Sequence, residues 1–123
     1  MSETIYVVGL DRDERRRIAE ALAEEPVVVE SYDDAAQFLD GVAASASGCV
    51  LAPVDLPGMG LAALMKEIQL RQIPLAIVVI GRDAEFALAI ELVRAGAFDF
   101  LEHPFSDQRL RSVIRRAIGA GAE

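Results

Sequence analysis

One cysteine, one histidine and no tryptophan occur among 123 residues. The lone Cys49 excludes an internal disulfide framework, and one thiol with one imidazole makes no Cys/His cluster for structural zinc. Such cysteine usage fits a reducing cytoplasm. Bases are scarce beside acids, 12 Lys and Arg against 20 Asp and Glu, for a formal net charge of -8. A chain of that sign lacks the basic stripe that displaces counterions from nucleic acid, so direct nucleic-acid binding is not expected. Long hydrophobic runs are missing too. Although 53% of residues are hydrophobic and mean hydropathy is +0.31, no stretch nears the ~18 unbroken apolar residues of a membrane span. The first residues, Met-Ser-Glu-Thr, show no basic region leading into an apolar one, so neither a signal peptide nor a membrane anchor is expected. A single domain over residues 1–123 is the expectation, since a chain of this length buries roughly two-thirds of its unfolded surface around one core.

The acidic excess is uneven. Up to Gly60 there are four bases (Arg12, Arg15, Arg16, Arg17) and twelve acids, and the remainder holds eight of each. The simplest reading of this half is a solvated acidic face.

What is present is a regular alternation. Ile5 to Val8 is an apolar, β-branched and aromatic run that stops at Gly9, and Asp11 and Asp13 offer caps for a helix over Glu14 to Leu22 carrying Ile18, Ala21 and Leu22. Val27 to Val29 predicts a second strand, and Tyr32-Asp33-Asp34 a turn and cap for a helix lined by Ala35, Ala36, Phe38 and Leu39. After the small-residue loop Ala43 to Gly48, Cys49 to Ala52 predicts a third strand in which Cys49 is a small buried residue of no special reactivity. The Pro- and Gly-rich loop Pro53 to Gly60 leads to a helix with Leu61, Leu64, Met65 and Ile68. Ala76 to Ile80 is the fourth strand. Gly81, Arg82 and Asp83 turn into a helix carrying Phe86, Ala89, Ile90 and Val93, closed by Gly96. Phe98 to Leu101 is the fifth strand, and Ser106 and Asp107 cap a last helix with Leu110, Val113, Ile114 and Ala117 on its inner face. Strands that are continuous apolar runs are buried on both faces, which calls for a doubly wound α/β domain: a five-stranded parallel sheet between helices, with right-handed crossovers.

Ligands of such sheets bind outside the carboxyl ends of the strands. Those ends place Gly9, Leu10 and Asp11, then Pro53, Val54 and Asp55, then Ile80 and Gly81, then Glu102 and His103. Together with the phrases Leu-Pro-Gly-Met at 56–59 and Arg-Ala-Gly-Ala-Phe-Asp-Phe-Leu-Glu-His-Pro-Phe at 94–105, this order of elements resembles response-regulator receiver domains of the CheY-like superfamily, FixJ and NtrC type, over about 4–118. The resemblance implies a flavodoxin-like (βα)5 fold with strand order 2-1-3-4-5. It also implies an acidic pair after the first strand to hold magnesium, an aspartate ending the third to accept phosphate, a Ser or Thr ending the fourth, and a Lys before the Pro of the fifth. These groups bind a hard cation, offset phosphoryl charge and move a hydroxyl to meet it.

This sequence departs from that pattern at each place. Gly9 and Leu10 stand where the acidic pair belongs, with Asp11 one place later, and Pro53 stands at the phosphoacceptor. Ile80 or Gly81 falls at the hydroxyl position and His103 at the lysine. The resemblance therefore points to a degenerate pseudo-receiver, with no catalytic residue, metal or cofactor expected. Asp55, two residues past Pro53, is most simply a solvated or turn-capping aspartate, and with Asp11 it is the candidate substitute acceptor. His103 is a pH-sensitive group or a metal ligand with Asp11 and Asp55, or more simply a local hydrogen-bonding replacement. Pro104 matches a position where the peptide bond is commonly cis. Gly58-Met59-Gly60 lacks the Lys-Ser or Lys-Thr of a phosphate loop and reads as a turn. Phe100 matches the family's switch aromatic, and a core role is expected of it.

The resemblance further implies signalling through the face of the fourth helix, fifth strand and fifth helix, which holds Glu85, Glu91, Arg94, Asp99, Arg109, Arg111, Arg115 and Arg116. The function expected is a phosphorylation-independent interaction or regulatory module in two-component-type bacterial signalling. Its partner would be a kinase, a regulator or a second copy in a homodimer. Three alternatives stand beside it: the input domain of a transcriptional regulator whose output lies beyond Glu123 or on a partner, a small-molecule sensor using a pocket made apolar by Gly9, Leu10, Pro53 and Ile80, and a residually active receiver using Asp55 or Asp11.

Overall fold

The computed structural model describes residues 3–121. Five strands alternate with five helices: β1 (Glu3–Val8), α1 (Arg12–Ala21), β2 (Val27–Tyr32), α2 (Ala35–Gly41), β3 (Gly48–Pro53), α3 (Leu61–Leu70), β4 (Leu75–Gly81), α4 (Phe86–Arg94), β5 (Asp99–Glu102) and α5 (Asp107–Gly121). All strand pairs are parallel, and the sheet order is β2-β1-β3-β4-β5. This is the doubly wound, flavodoxin-like receiver fold that the sequence predicts.

Successive side chains of a strand point to opposite faces, so one apolar run feeds two cores. Ile5, Val7, Cys49, Leu51, Val78 and Ile80 face α1 and α5, where Ile18, Leu22, Leu110, Val113 and Ile114 meet them. Tyr6, Val8, Val50, Ala52 and Val79 face the other way, against Phe38, Leu64, Ile68, Ala89 and Leu92 of α2, α3 and α4. Cys49 lies fully inside, and burial pushes its thiol up to about 12, in keeping with the inert role expected of it.

Several boundaries and faces differ from expectation. β2 is not buried on both sides: it is an edge strand, half-exposed along its length, with Val28 48% exposed. α1 starts at Arg12, directly after Asp11, because the Asp11 carboxylate accepts the Glu14 N–H at 2.8 Å and serves as cap. A short 3-10 turn (Asp83–Glu85) precedes α4, so the helix enters rotated from the predicted face: Ala89 and Leu92 are its buried residues, while Phe86 is 50% exposed. Ala36 faces outward. β5 begins at Asp99 rather than Phe98, whose N–H bonds the Ile77 carbonyl at 2.7 Å, and α5 continues through both terminal glycines to Gly121.

Candidate functional site

The carboxyl ends of β1, β3, β4 and β5 surround a depression of about 640 Å³. Its rim comprises Asp11, Asp13, Glu14 and Arg17 from the start of α1, Pro53 and Asp55 after β3, Ile80, Gly81, Arg82 and Glu85 after β4, and His103 after β5. The sequence reading brings six of its eight site candidates here; Gly9 and Leu10 are the exceptions. Leu10 turns into the α1/α5 core and is 6% exposed. Gly9 adopts φ +74°, its N–H bonds the Tyr32 carbonyl at 3.0 Å, and a Cβ there would run into Leu56 Cδ1. That position needs glycine on two counts, conformation and space.

Pro53 closes β3 in register with Ile80. Past it, the Val54 N–H bonds the Ile80 carbonyl at 2.9 Å and the Leu56 N–H bonds the Pro53 carbonyl at 3.2 Å, which closes a tight turn and leaves Asp55 exposed on the rim. Ile80 drives its side chain into the α1/α5 core. At Gly81 the space for a side chain is taken: a Cβ would lie 2.7 Å from Val54 Cγ2 and 3.0 Å from Phe100 Cε1. The two aliphatic and aromatic neighbours occupy the volume a serine or threonine would need.

His103 is anchored twice. Its N–H bonds the Gly81 carbonyl at 2.8 Å, and its imidazole Nε2 pairs with the Glu14 carboxylate. The ring lies 4.9 Å from that of Phe105, and the Arg17 guanidinium covers the Phe105 ring at 4.4 Å while donating to the Phe105 carbonyl. Arg17 also sits 3.9 Å from Asp107. The loop from β5 to α5, which holds the cis His103–Pro104 bond, is thus tied to α1. Glu14, Arg17 and Phe105 were not singled out from sequence. The available signal was spacing, since Glu14 and Arg17 lie three apart on one helix face.

The expectation of an apolar pocket needs correction. The rim is dominated by charged groups, and only Pro53 and Ile80 of the four residues named for an apolar pocket line it; an uncharged ligand finds no apolar chamber. Nor do the residues fit magnesium. Among the described residues no three His, Cys, Asp or Glu side chains converge as ligands. Asp11 is committed to the α1 cap and His103 to Glu14, so Asp11, Asp55 and His103 share a rim without meeting at a point.

The proposed signalling face also divides. Asp99 pairs within the chain with Arg116 at 3.4 Å and Arg109 at 3.9 Å. Arg111 instead donates to the Ala21 carbonyl at 3.1 Å, and Arg115 holds Glu25 through two bonds of 2.9 and 3.0 Å. Those two belong to the α1 side of α5 and do not join Glu91 and Arg94. The Arg115 guanidinium holds the Glu25 carboxyl below the usual carboxylate range. Missed by the sequence reading are the exposed Phe86 and Leu88 of α4. The Phe86 ring lies 6.0 Å from that of Phe100, which is partly buried against the α2/α3/α4 core. Among the described residues no helix is long and apolar enough to cross a membrane.

Residues 5–115 match the family model described as the response regulator receiver domain. The chain is 36% identical over 114 residues to the transcriptional regulatory protein FixJ of Bradyrhizobium diazoefficiens, covering 93% of this chain and 56% of that protein. It is 28% identical over 114 residues to the C4-dicarboxylate transport transcriptional regulatory protein DctD of Rhizobium meliloti, covering 93% of this chain and 25% of that protein. It superposes on full-length FixJ from B. japonicum with a TM-score of 0.87 at 34% identity, covering 98% of this chain and 60% of that one. With NtrX from Brucella abortus in complex with ADP the TM-score is 0.88 at 30% identity, covering 99% of this chain and 28% of that one. The chain therefore spans a little over half of FixJ and about a quarter of DctD. On the matched sequence over nearly its whole length and on the sheet order, this chain belongs to the response regulator receiver domain family.

Proposed function

We propose that this receiver domain works without aspartyl phosphorylation, as a protein-interaction and regulatory module of two-component-type bacterial signalling that catalyses no reaction of its own. The observation that carries this reading is Pro53 at the end of β3, the place where the family resemblance puts the phosphoacceptor. A pyrrolidine ring has no oxygen to attack a phosphoryl group. Leu10 in the core and the filled space beside Gly81 support it, because magnesium loses its carboxylates and the switch loses its hydroxyl. The ties from α1 to His103 and Phe105 then hold one arrangement of the β5–α5 loop where a working receiver would exchange two. The exposed Phe86 and Leu88, flanked by Glu91 and Arg94, form the docking face for a kinase, a regulator or a second copy.

The relatives favour a second reading inside the first: FixJ and DctD are named transcriptional regulators and are longer than this chain. As the input domain of such a regulator, this chain would act in the cytoplasm through a partner or further domain, its charge of -8 leaving DNA contact to them.

The test is incubation with acetyl phosphate or beryllofluoride plus magnesium, read by amide NMR around Gly9, Asp55 and His103. No specific shift at saturating reagent is expected. Localised, magnesium-dependent shifts would overturn the reading in favour of Asp55 as acceptor, and Asp55→Ala would then abolish them.

A further inference from the structure

A second cavity, of about 330 Å³, lies at the other end of the sheet. It opens between the C-terminal half of α5 and the first residues of β1 and β2. Its walls are apolar, formed by Pro26, Val27, Ile114 and Ile118, and its charged members are Glu3, Glu25 and Arg115. Two of these answer each other, since Arg115 grips Glu25 through both carboxylate oxygens.

Glu3 is left over. It opens β1 in register with Val27 of β2. By strand alternation it shares a face with Ile5 and Val7, which point into the α1/α5 core, so the sheet aims its side chain toward α5. Its Oε2 is shielded from water and has no hydrogen-bond partner among the described residues. A carboxylate oxygen that gives up hydration without gaining a donor is costly, and such an atom marks a place for a donor beyond the described residues.

We propose that this cavity binds an organic monocation, an ammonium or guanidinium head on a short apolar body, with the head donating to Glu3 Oε2 and the body lying on Val27, Ile114 and Ile118. A hard inorganic cation is poorly served by one carboxylate among apolar walls, because it requires several oxygens. A neutral apolar ligand would leave the oxygen unanswered, and an anion would face it. The volume is at the low end of the ~300–1,000 Å³ typical of ligand sites, which suits a small alkylamine. This site does not depend on how the depression at the opposite end of the sheet is read.

The probe is hexylammonium, titrated into the full chain and followed by amide NMR, with hexanol and hexanoate as parallel arms. Hexylammonium is expected to give saturable shifts at Glu3, Val27 and Ile114, and Glu3→Gln to weaken its binding at least about tenfold, the cost of a lost charge-assisted hydrogen bond. Asp40→Asn, exposed on α2, should leave binding unchanged. Amides away from the cavity report that Glu3→Gln keeps its fold. Equal binding of hexanol, no saturable shift with hexylammonium, or unchanged affinity in Glu3→Gln would each overturn the proposal.

Discussion

The two helical layers over this sheet are held by different means. On the α1/α5 side, arginines reach across between elements: Arg17 to the Phe105 carbonyl, Arg111 to the Ala21 carbonyl and Arg115 to Glu25. On the α2/α3/α4 side, α4 rests on Ala89 and Leu92 and turns Phe86 and Leu88 outward. The first layer carries three such ties; the second has one, from Arg71 after α3 to the Leu39 carbonyl of α2 at 2.8 Å, and presents apolar surface on α4. On the proposed reading, in which the domain works without phosphate chemistry, the first holds a conformation and the second remains available for recognition.

The contrast is most sharply tested by truncating one residue in each layer. Leu110→Ala, fully buried in α5, should cost about 3 kcal/mol in urea unfolding through lost burial and a residual cavity. Phe86→Ala, half-exposed on α4, should cost under about 1 kcal/mol yet weaken partner binding or self-association, measured by sedimentation or titration calorimetry. Comparable stability losses would erase the distinction between the layers.

Next in size is Gly81→Ser, which restores a hydroxyl where the family resemblance places one. Its Cβ must displace Val54 or Phe100, so a loss of about 1–3 kcal/mol is expected, with no gained response to acetyl phosphate and magnesium. A gained response would mean that the depression retains function. Arg17→Ala tests the ties directly. Losing the guanidinium over Phe105 and its bond to the loop carbonyl should cost about 1–2 kcal/mol and shift the amides of 103–107, whereas Arg94→Ala on α4 should change stability by less than about 0.5 kcal/mol.

The smallest effect concerns pH. Arg115 lowers the Glu25 carboxyl in the folded state, so the unfolded chain takes up that proton first on acidification. The contribution of the pair is complete above the ordinary carboxylate range and fades as pH falls through it and below. Glu25→Gln should flatten that part of the melting-temperature profile, and an unchanged acid limb would show that the pair adds nothing to the tied layer.

How much of this was legible beforehand depended on whether the information was local. The interior strands β1, β3 and β4 announce themselves as unbroken apolar runs. Val27 to Val29 reads the same way; its edge position is not encoded in those three residues and followed only from the strand order that the family resemblance implied. The departures from the family pattern were readable from identities alone at Pro53 and His103. Leu10 was misplaced at the site because sequence counting does not tell which way a side chain turns after a strand, and Glu14 was missed because its pairing with His103 arises only when α1 docks beside β5. Arg111 and Arg115 were assigned to the wrong face of α5, although their spacing of four already groups them apart from Arg109 and Arg116, which lie seven apart.

The half-exposed β2 has a consequence for behaviour at high concentration. An edge strand presents unpaired backbone groups to which another extended chain can add, and Val28 makes this edge attractive to apolar sequence. Pro26 stands immediately before the strand and Glu30 within it, both exposed. A missing donor at the entrance and a carboxylate along the rail discourage a further strand from annealing there, so self-addition through this edge, and the aggregation it would seed, is guarded against by two residues.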